Sequence, residues 1–224
     1  MRSLRIAGRI VGAVFVRELR LGALHPGESL WPLAFFLMVA TLFAMGTVPA
    51  LPRAATPGVV WVAALLATMM SLPRLYADDA AEGTLDRLLL SPAPPEGWVL
   101  AKVAAHCVWT GGPLVLATPV AALFFGWEPR TTALCALSLL LGVPTLSLVG
   151  SVGAALALGA RNGGVLVALL VLPLYVPVLV FGAGLVGADA AAVRGHLSLL
   201  AALLAFSAFF APVASAAALR IAME

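Results

Sequence analysis

Six long apolar runs, separated by short polar segments, divide the chain at about 29–48, 57–72, 98–125, 131–158, 163–186 and 197–219. A helix crossing the roughly 30 Å hydrocarbon layer of a bilayer needs about 20 apolar residues at 1.5 Å rise each, so each run is predicted to be a transmembrane helix. The second run is short and is expected to continue through Pro73 to Tyr76 as it leaves the bilayer. The third holds Gly111, Gly112, Pro113 and Pro119 and is predicted to tilt or break. Further prolines at 144, 173, 177 and 212 predict kinks, which a bundle tolerates because neighbouring helices re-satisfy freed carbonyls. Barrel strands would alternate apolar and polar positions in segments of about ten residues, and these continuous Leu, Val and Ala runs do not. The predicted fold is an all-α membrane protein with six transmembrane helices.

Ahead of the first run, residues 4–21 carry a different pattern. At about 100° per residue, Arg2, Arg5, Arg9, Arg17 and Arg20 fall within an arc of roughly 120°, with Leu4, Val11, Val14, Phe15 and Leu19 opposite. That is the pattern of an amphipathic helix in the membrane interface, its guanidinium groups among headgroups and its apolar face in the acyl boundary. A plain positively charged tail is the alternative. Glu18 breaks the pattern, because it falls in the apolar arc.

Composition agrees with a lipid environment: 62% of residues are hydrophobic and 10% are charged, against about a quarter charged in soluble proteins. Charge then orients the chain. With the N-terminus inside, the inner side receives Arg2, Arg5, Arg9, Arg17, Arg20, Arg74, Arg87, Lys102, Arg161 and Arg220, while the outer side receives Arg53, Arg130 and Arg194. Positive residues concentrate in cytoplasmic loops, so both termini and the acidic loop after the second span are expected in the cytoplasm. The net charge of +3 reflects this topology, and no basic block with interleaved aromatics suggests nucleic-acid binding. The arginine-rich segment before the first apolar run has no cleavable signal-peptide pattern.

The loop "YADDAAEGTLDRLLLSPAP", residues 76–94, places Asp78, Asp79, Glu82 and Asp86 within nine positions. Asp78, Glu82 and Asp86 are spaced i, i+4, i+8 and share one helical face, with Asp79 beside them. Three readings fit. The helix at 76–90 could be merely solvated. It could hold magnesium against a diphosphate, as in a membrane prenyltransferase-like enzyme, but such sites need a second acidic cluster, and Glu18, Glu28, Glu96, Glu128, Asp189 and Glu224 stand isolated. Or it could dock a soluble partner, its acids facing outward and Leu85, Leu88 and Leu89 forming a patch for a groove or the membrane. Gly83 permits a bend, and the prolines of "SPAPP" end the segment.

Other chemistry is sparse. Cys107 and Cys135 have no CxxC spacing and read as small buried apolar residues. His106 lies within the third span, one turn after Lys102, which could snorkel; an ionisable residue at that depth is a functional candidate, as a ligand or as a hydrogen-bonding partner. The chain's one lysine is Lys102, in "LAKVAAH", so no GxxxxGK[ST] phosphate loop exists and any use of ATP requires a separate subunit. A self-contained channel or ion-coupled transporter would need polar groups at mid-membrane, of which the runs offer little beyond Thr and Ser.

The segments "PGVVWVAALLATMMSLPRLYADDAAEGTLDRLLLSPAP", "LAKVAAHCVWTGGPLVLATPVAALFFG" and "LLLGVPTLSLVGSVGAALALGARNGGVLVALLVLPLYVPVLVFG", with the ending "AAALRIAM", resemble the haem exporter protein B family, CcmB, over nearly the whole chain. The resemblance implies a permease subunit of the cytochrome c maturation ABC complex in the bacterial inner membrane. It implies a cytoplasmic ATPase, CcmA, binding ATP and magnesium; the membrane proteins CcmC and CcmD; release of the haem-loaded periplasmic chaperone CcmE; and a homodimer of this chain. Haem is then handled by the complex, with no cofactor held by this chain and no catalysis of its own. Asp78, Asp79, Glu82, Gly83, Asp86 and Arg87 become the coupling helix that meets the ATPase. Arg161, Gly163 and Gly164 in "GARNGGVL" become a second cytoplasmic contact, with Arg161 equally readable as a topogenic charge.

Overall fold

The computed structural model describes residues 2–47, 52, 55–160, 163–186 and 188–223, and every regular element among them is a helix. In chain order these are α1 (Arg2–Leu24), α2 (Pro26–Thr47), α3 (Thr56–Ser71), α4 (Arg74–Ala81), α5 (Thr84–Leu89), α6 (Pro95–His106), a π-helical turn (Cys107–Gly111), α7 (Gly112–Leu116), α8 (Thr118–Phe125), α9 (Pro129–Leu156), α10 (Gly163–Gly184) and α11 (Ala190–Ala222). Five stretches are long and apolar enough to cross a membrane, namely Thr56–Ala81, Pro95–Phe125, Pro129–Leu156, Gly163–Gly184 and Ala190–Ala222; Leu30–Gly46 within α2 is a shorter sixth. The chain is a helical membrane protein with about six spans.

Proline starts several of these helices, where its missing N–H would have no partner anyway: Pro57 in α3, Pro95 in α6 and Pro129 in α9. The third span is broken rather than merely tilted. Regular α-helix ends at His106, the π turn follows, and the Gly112 N–H bonds back to the Cys107 carbonyl. A second interruption falls at Ala117, just before Pro119. α9, α10 and α11 run on through Pro144, Pro173, Pro177 and Pro212.

α9 packs against α10, α11 and α3 at the centre of the bundle. In lipid, helices associate by close packing more than by water exclusion, so small residues decide where they meet. Trp61 of α3 is fully buried, its Nε1–H donating to Ser138 Oγ at 2.9 Å, and its ring lies over Gly142 of α9 and Gly182 of α10, where any Cβ would collide with it. Gly150 makes room in the same way for Leu72 and the Tyr175 hydroxyl, which donates to the Leu146 carbonyl at 2.6 Å.

The N-terminal helix departs from the expected picture. Its apolar arc does not simply enter the acyl boundary: Val14 is buried, and Val11 and Phe15 pack with Trp98 and Val99 of α6, Tyr76 of α4, Leu85 of α5 and Leu219 of α11. Ile6, Val16, Leu21 and Leu24 remain exposed. One end of the bundle therefore gathers α1, the loop helices α4 and α5, and the ends of α9 and α11.

Candidate functional site

The acidic loop is built as an elbow of two short helices. A single helix over 76–90 is not what forms, because α4 closes at Glu82, whose N–H bonds to the Asp78 carbonyl at 3.0 Å, and Gly83 then takes the left-handed conformation (φ 69°) that L side chains avoid. α5 follows and ends where Ser91 Oγ donates to the Leu88 carbonyl at 2.7 Å; Pro94 is extended and Pro95 begins α6. The expected leucine patch is taken up internally: Leu85 is fully buried and Leu88 and Leu89 pack on the same cluster, leaving Leu90 at 88% exposure.

The acids divide into two groups. Asp78, Glu82 and Asp86 are exposed, as is Arg87. Asp79 does not face outward; its side chain is 6% exposed and turned into the protein. There it meets two cations. Arg17 of α1 donates to Asp79 Oδ1 at 2.6 Å, and Lys102 of α6 brings its Nζ within 2.6 Å of Oδ2, a contact with the charge rather than an aligned hydrogen bond. Glu18 completes the cluster, accepting from Lys102 Nζ at 2.9 Å and from Arg17 at 3.1 Å. Glu82 lies at 3.9 Å from Arg17, on the solvent side.

Two cations and two carboxylates thus balance across α1, α4 and α6. Burying a charge is costly unless a partner and hydrogen bonds compensate it, and here each inner charge has at least two oppositely charged neighbours. The hydrogen bond to Asp79 holds the Arg17 guanidinium above its ordinary value, against the effect of burial. Lys102, 3% exposed, does not snorkel to the surface, because its opposite charges lie inside.

Beside the cluster opens a cleft of about 600 Å³ between α1, the start of α2, the α3–α4 junction, α6 and the π turn. Arg17, Lys102, Asp78 and Asp79 line one wall; Trp31, Met70 and Trp109 supply apolar surface. His106 also lines it, Nε2 2.7 Å from Ser71 Oγ of α3 and Nδ1 3.1 Å from Ser147 Oγ of α9. Both ring nitrogens are therefore engaged, one as donor and one as acceptor, and neither offers a free lone pair to a metal in this arrangement. Among the described residues no three His, Cys, Asp or Glu side chains come together as a metal set.

The sequence model of the CcmB protein family matches residues 9–222. The chain belongs to the CcmB family. It is similar to heme exporter protein B of Pseudomonas aeruginosa, 44% identical over 96% of this chain and 98% of that protein. Heme exporter protein B of Haemophilus influenzae is 43% identical over 94% of this chain and 97% of that protein, and that of Escherichia coli K12 is 45% identical over 94% and 98%.

In this CcmB-family chain the loop residues singled out from sequence lie together on the elbow, and His106 lines the cleft that Asp78, Asp79 and Glu82 also line. Gly163 and Gly164 begin α10, and a Cβ on Gly164 would come 3.8 Å from Pro73, beside the start of α4. Arg161 lies outside the described residues. Sequence reasoning missed the pairing of Arg17 and Glu18 with Asp79 and Lys102. Two signals pointed to it: Glu18 sits on an otherwise apolar arc, and the chain's one lysine falls within an apolar run.

Proposed function

We propose that this chain is a membrane subunit of a haem-export complex for c-type cytochrome maturation, and that a separate ATPase subunit of the CcmA kind docks on the α4–α5 elbow. The observation that carries this reading is the elbow itself, which shows Asp78, Glu82 and Asp86 to solvent while its inner face is tied into the bundle. A surface of that form can receive a push from a soluble partner and pass it to the spans. Its chemistry also points outward for energy. The one lysine is held by Glu18 and Asp79, so it is engaged within the fold rather than free to cradle a phosphate.

On this reading the chain is a transport component rather than a catalyst. The arginine asymmetry supports an inner-membrane topology with both termini and the elbow in the cytoplasm. The relatives' name, heme exporter protein B, supports haem as the cargo of the complex. CcmC, CcmD, the chaperone CcmE, a second copy of this chain, and ATP with magnesium on the ATPase complete the assembly that the family resemblance implies.

The test is to replace Asp78, Glu82 and Asp86 together with alanine and purify the tagged protein in mild detergent. The expected result is a well-folded chain that no longer recovers the ATPase and no longer supports ATP-dependent release of the haem-loaded chaperone. Unchanged recovery and release would overturn the docking role of the elbow. Each exposed pair contributes only about 0–1 kcal/mol, so single replacements should have small effects.

A further inference from the structure

α4 presents two faces with different work. Asp78 and Glu82 look outward, whereas Asp79 looks inward and reaches Lys102 Nζ at 2.6 Å. Lys102 sits on α6 one turn before His106, and the His106 ring bridges Ser71 of α3 and Ser147 of α9 just before the π turn. The same lysine holds Glu18 of α1 at 2.9 Å, and Arg17 closes the loop back onto Asp79. The contacts run without a gap from the elbow to span three, and from there to spans two and four. A helix already interrupted by a π turn and by Pro113 and Pro119 can move in segments, so what its first segment is fastened to matters.

We propose that Lys102 is the positioning residue that fastens the α4–α5 elbow and the N-terminal helix to span three, so that displacement of the elbow by an ATPase moves α6 with it. A hydrophobic contact could hold the same elements together, but it would let them slide; a lysine between two carboxylates fixes their register, since any slip strands a buried charge. Coupling of this kind is carried by an element that two sites both bias, and movement of α6 with the elbow is its readout. It rests on the reading of the elbow as the ATPase dock, and its test separates the two.

The full chain is studied in its native complex as wild type, Lys102→Met and Lys102→Arg, with three readouts. The first is recovery of the complex. The second is the ratio of chaperone release to ATP hydrolysed. The third is the distance between spin labels at Ala81→Cys on α4 and Ala104→Cys on α6, both exposed positions, after the native Cys107 and Cys135 have been replaced. Lys102→Met is expected to assemble and hydrolyse ATP within about twofold of wild type, to lose about tenfold in release per ATP, and to broaden the label distances. Lys102→Arg, which keeps the charge, should restore most of the release and the narrow distribution.

A release ratio and label distances unchanged in Lys102→Met would overturn the proposal, as would a loss of assembly that Lys102→Arg does not repair. If wild type itself recovers no ATPase, the dock reading fails. The label distances then decide the fastening by themselves: unchanged distances in Lys102→Met overturn it, and broadened ones sustain it.

Discussion

Two regions of this protein hold helices together by opposite means. Around Trp61, three spans meet through absence of side chain: Gly142 and Gly182 admit the indole, and one hydrogen bond to Ser138 orients it. Around Lys102, three elements meet through charge, with Arg17, Glu18 and Asp79 all within ion-pair distance of an opposite partner. Packing of the first kind has no direction of its own but leaves no space to move. Charge pairing fixes direction, yet it borders an open cleft of about 600 Å³. The first region is suited to stay still and the second to move as a linked set.

The comparison is broken most severely at the indole. Trp61→Ala would empty a fully buried site between three helices, and large aromatic truncations of that kind cost about 3–5 kcal/mol. A large drop in unfolding midpoint in mild detergent is expected, without selective loss of partner binding. An intermediate effect is expected at the ion cluster. Lys102→Met leaves Asp79 with Arg17 as its remaining cation, and losing hydrogen bonds to charged groups costs about 1.5–3 kcal/mol. Adding Asp79→Asn should recover part of that loss, because it removes the negative charge left in excess beside Arg17; a double variant no more stable than Lys102→Met would show that the two charges do not act as a pair.

The smallest effect on stability belongs to the outer acids, and it sharpens the contrast. Asp86→Ala touches an exposed side chain and should leave the unfolding midpoint unmoved. Raising salt from about 0.1 to about 0.5 M should weaken recovery of an ATPase held by these acids, because screening reaches exposed charges first. The buried pairs of Lys102 should keep the α4–α6 label distances unchanged over the same range. Label distances that moved with salt would place the inner cluster in solvent-like surroundings.

The apolar runs made the helical membrane fold legible, since a bilayer imposes length and composition on whatever crosses it. The break in span three was legible too, because Gly111, Gly112, Pro113 and Pro119 are concentrated within it. The acidic loop and a bend at Gly83 were visible in the sequence, but not that Asp79 turns inward while Asp78, Glu82 and Asp86 stay exposed. The i, i+4, i+8 spacing describes one face of one helix, and Gly83, by turning left-handed, ends that helix before Asp86 is reached. Likewise Leu85, Leu88 and Leu89 carried the spacing of a docking patch, and only the arrival of α1, α6 and α11 shows that the chain uses Leu85 for its own core.

What the sequence determined by itself is the class of protein, the number of apolar crossings and the absence of a phosphate loop, all consequences of local composition and short-range spacing. What the tertiary structure alone decided is which charges meet. Glu18 and Lys102 are 84 positions apart and Arg17 and Asp79 are 62 apart. Their attraction depends on the inverse of a distance that no spacing along the chain prescribes, and it becomes strong only when folding has removed the water between them.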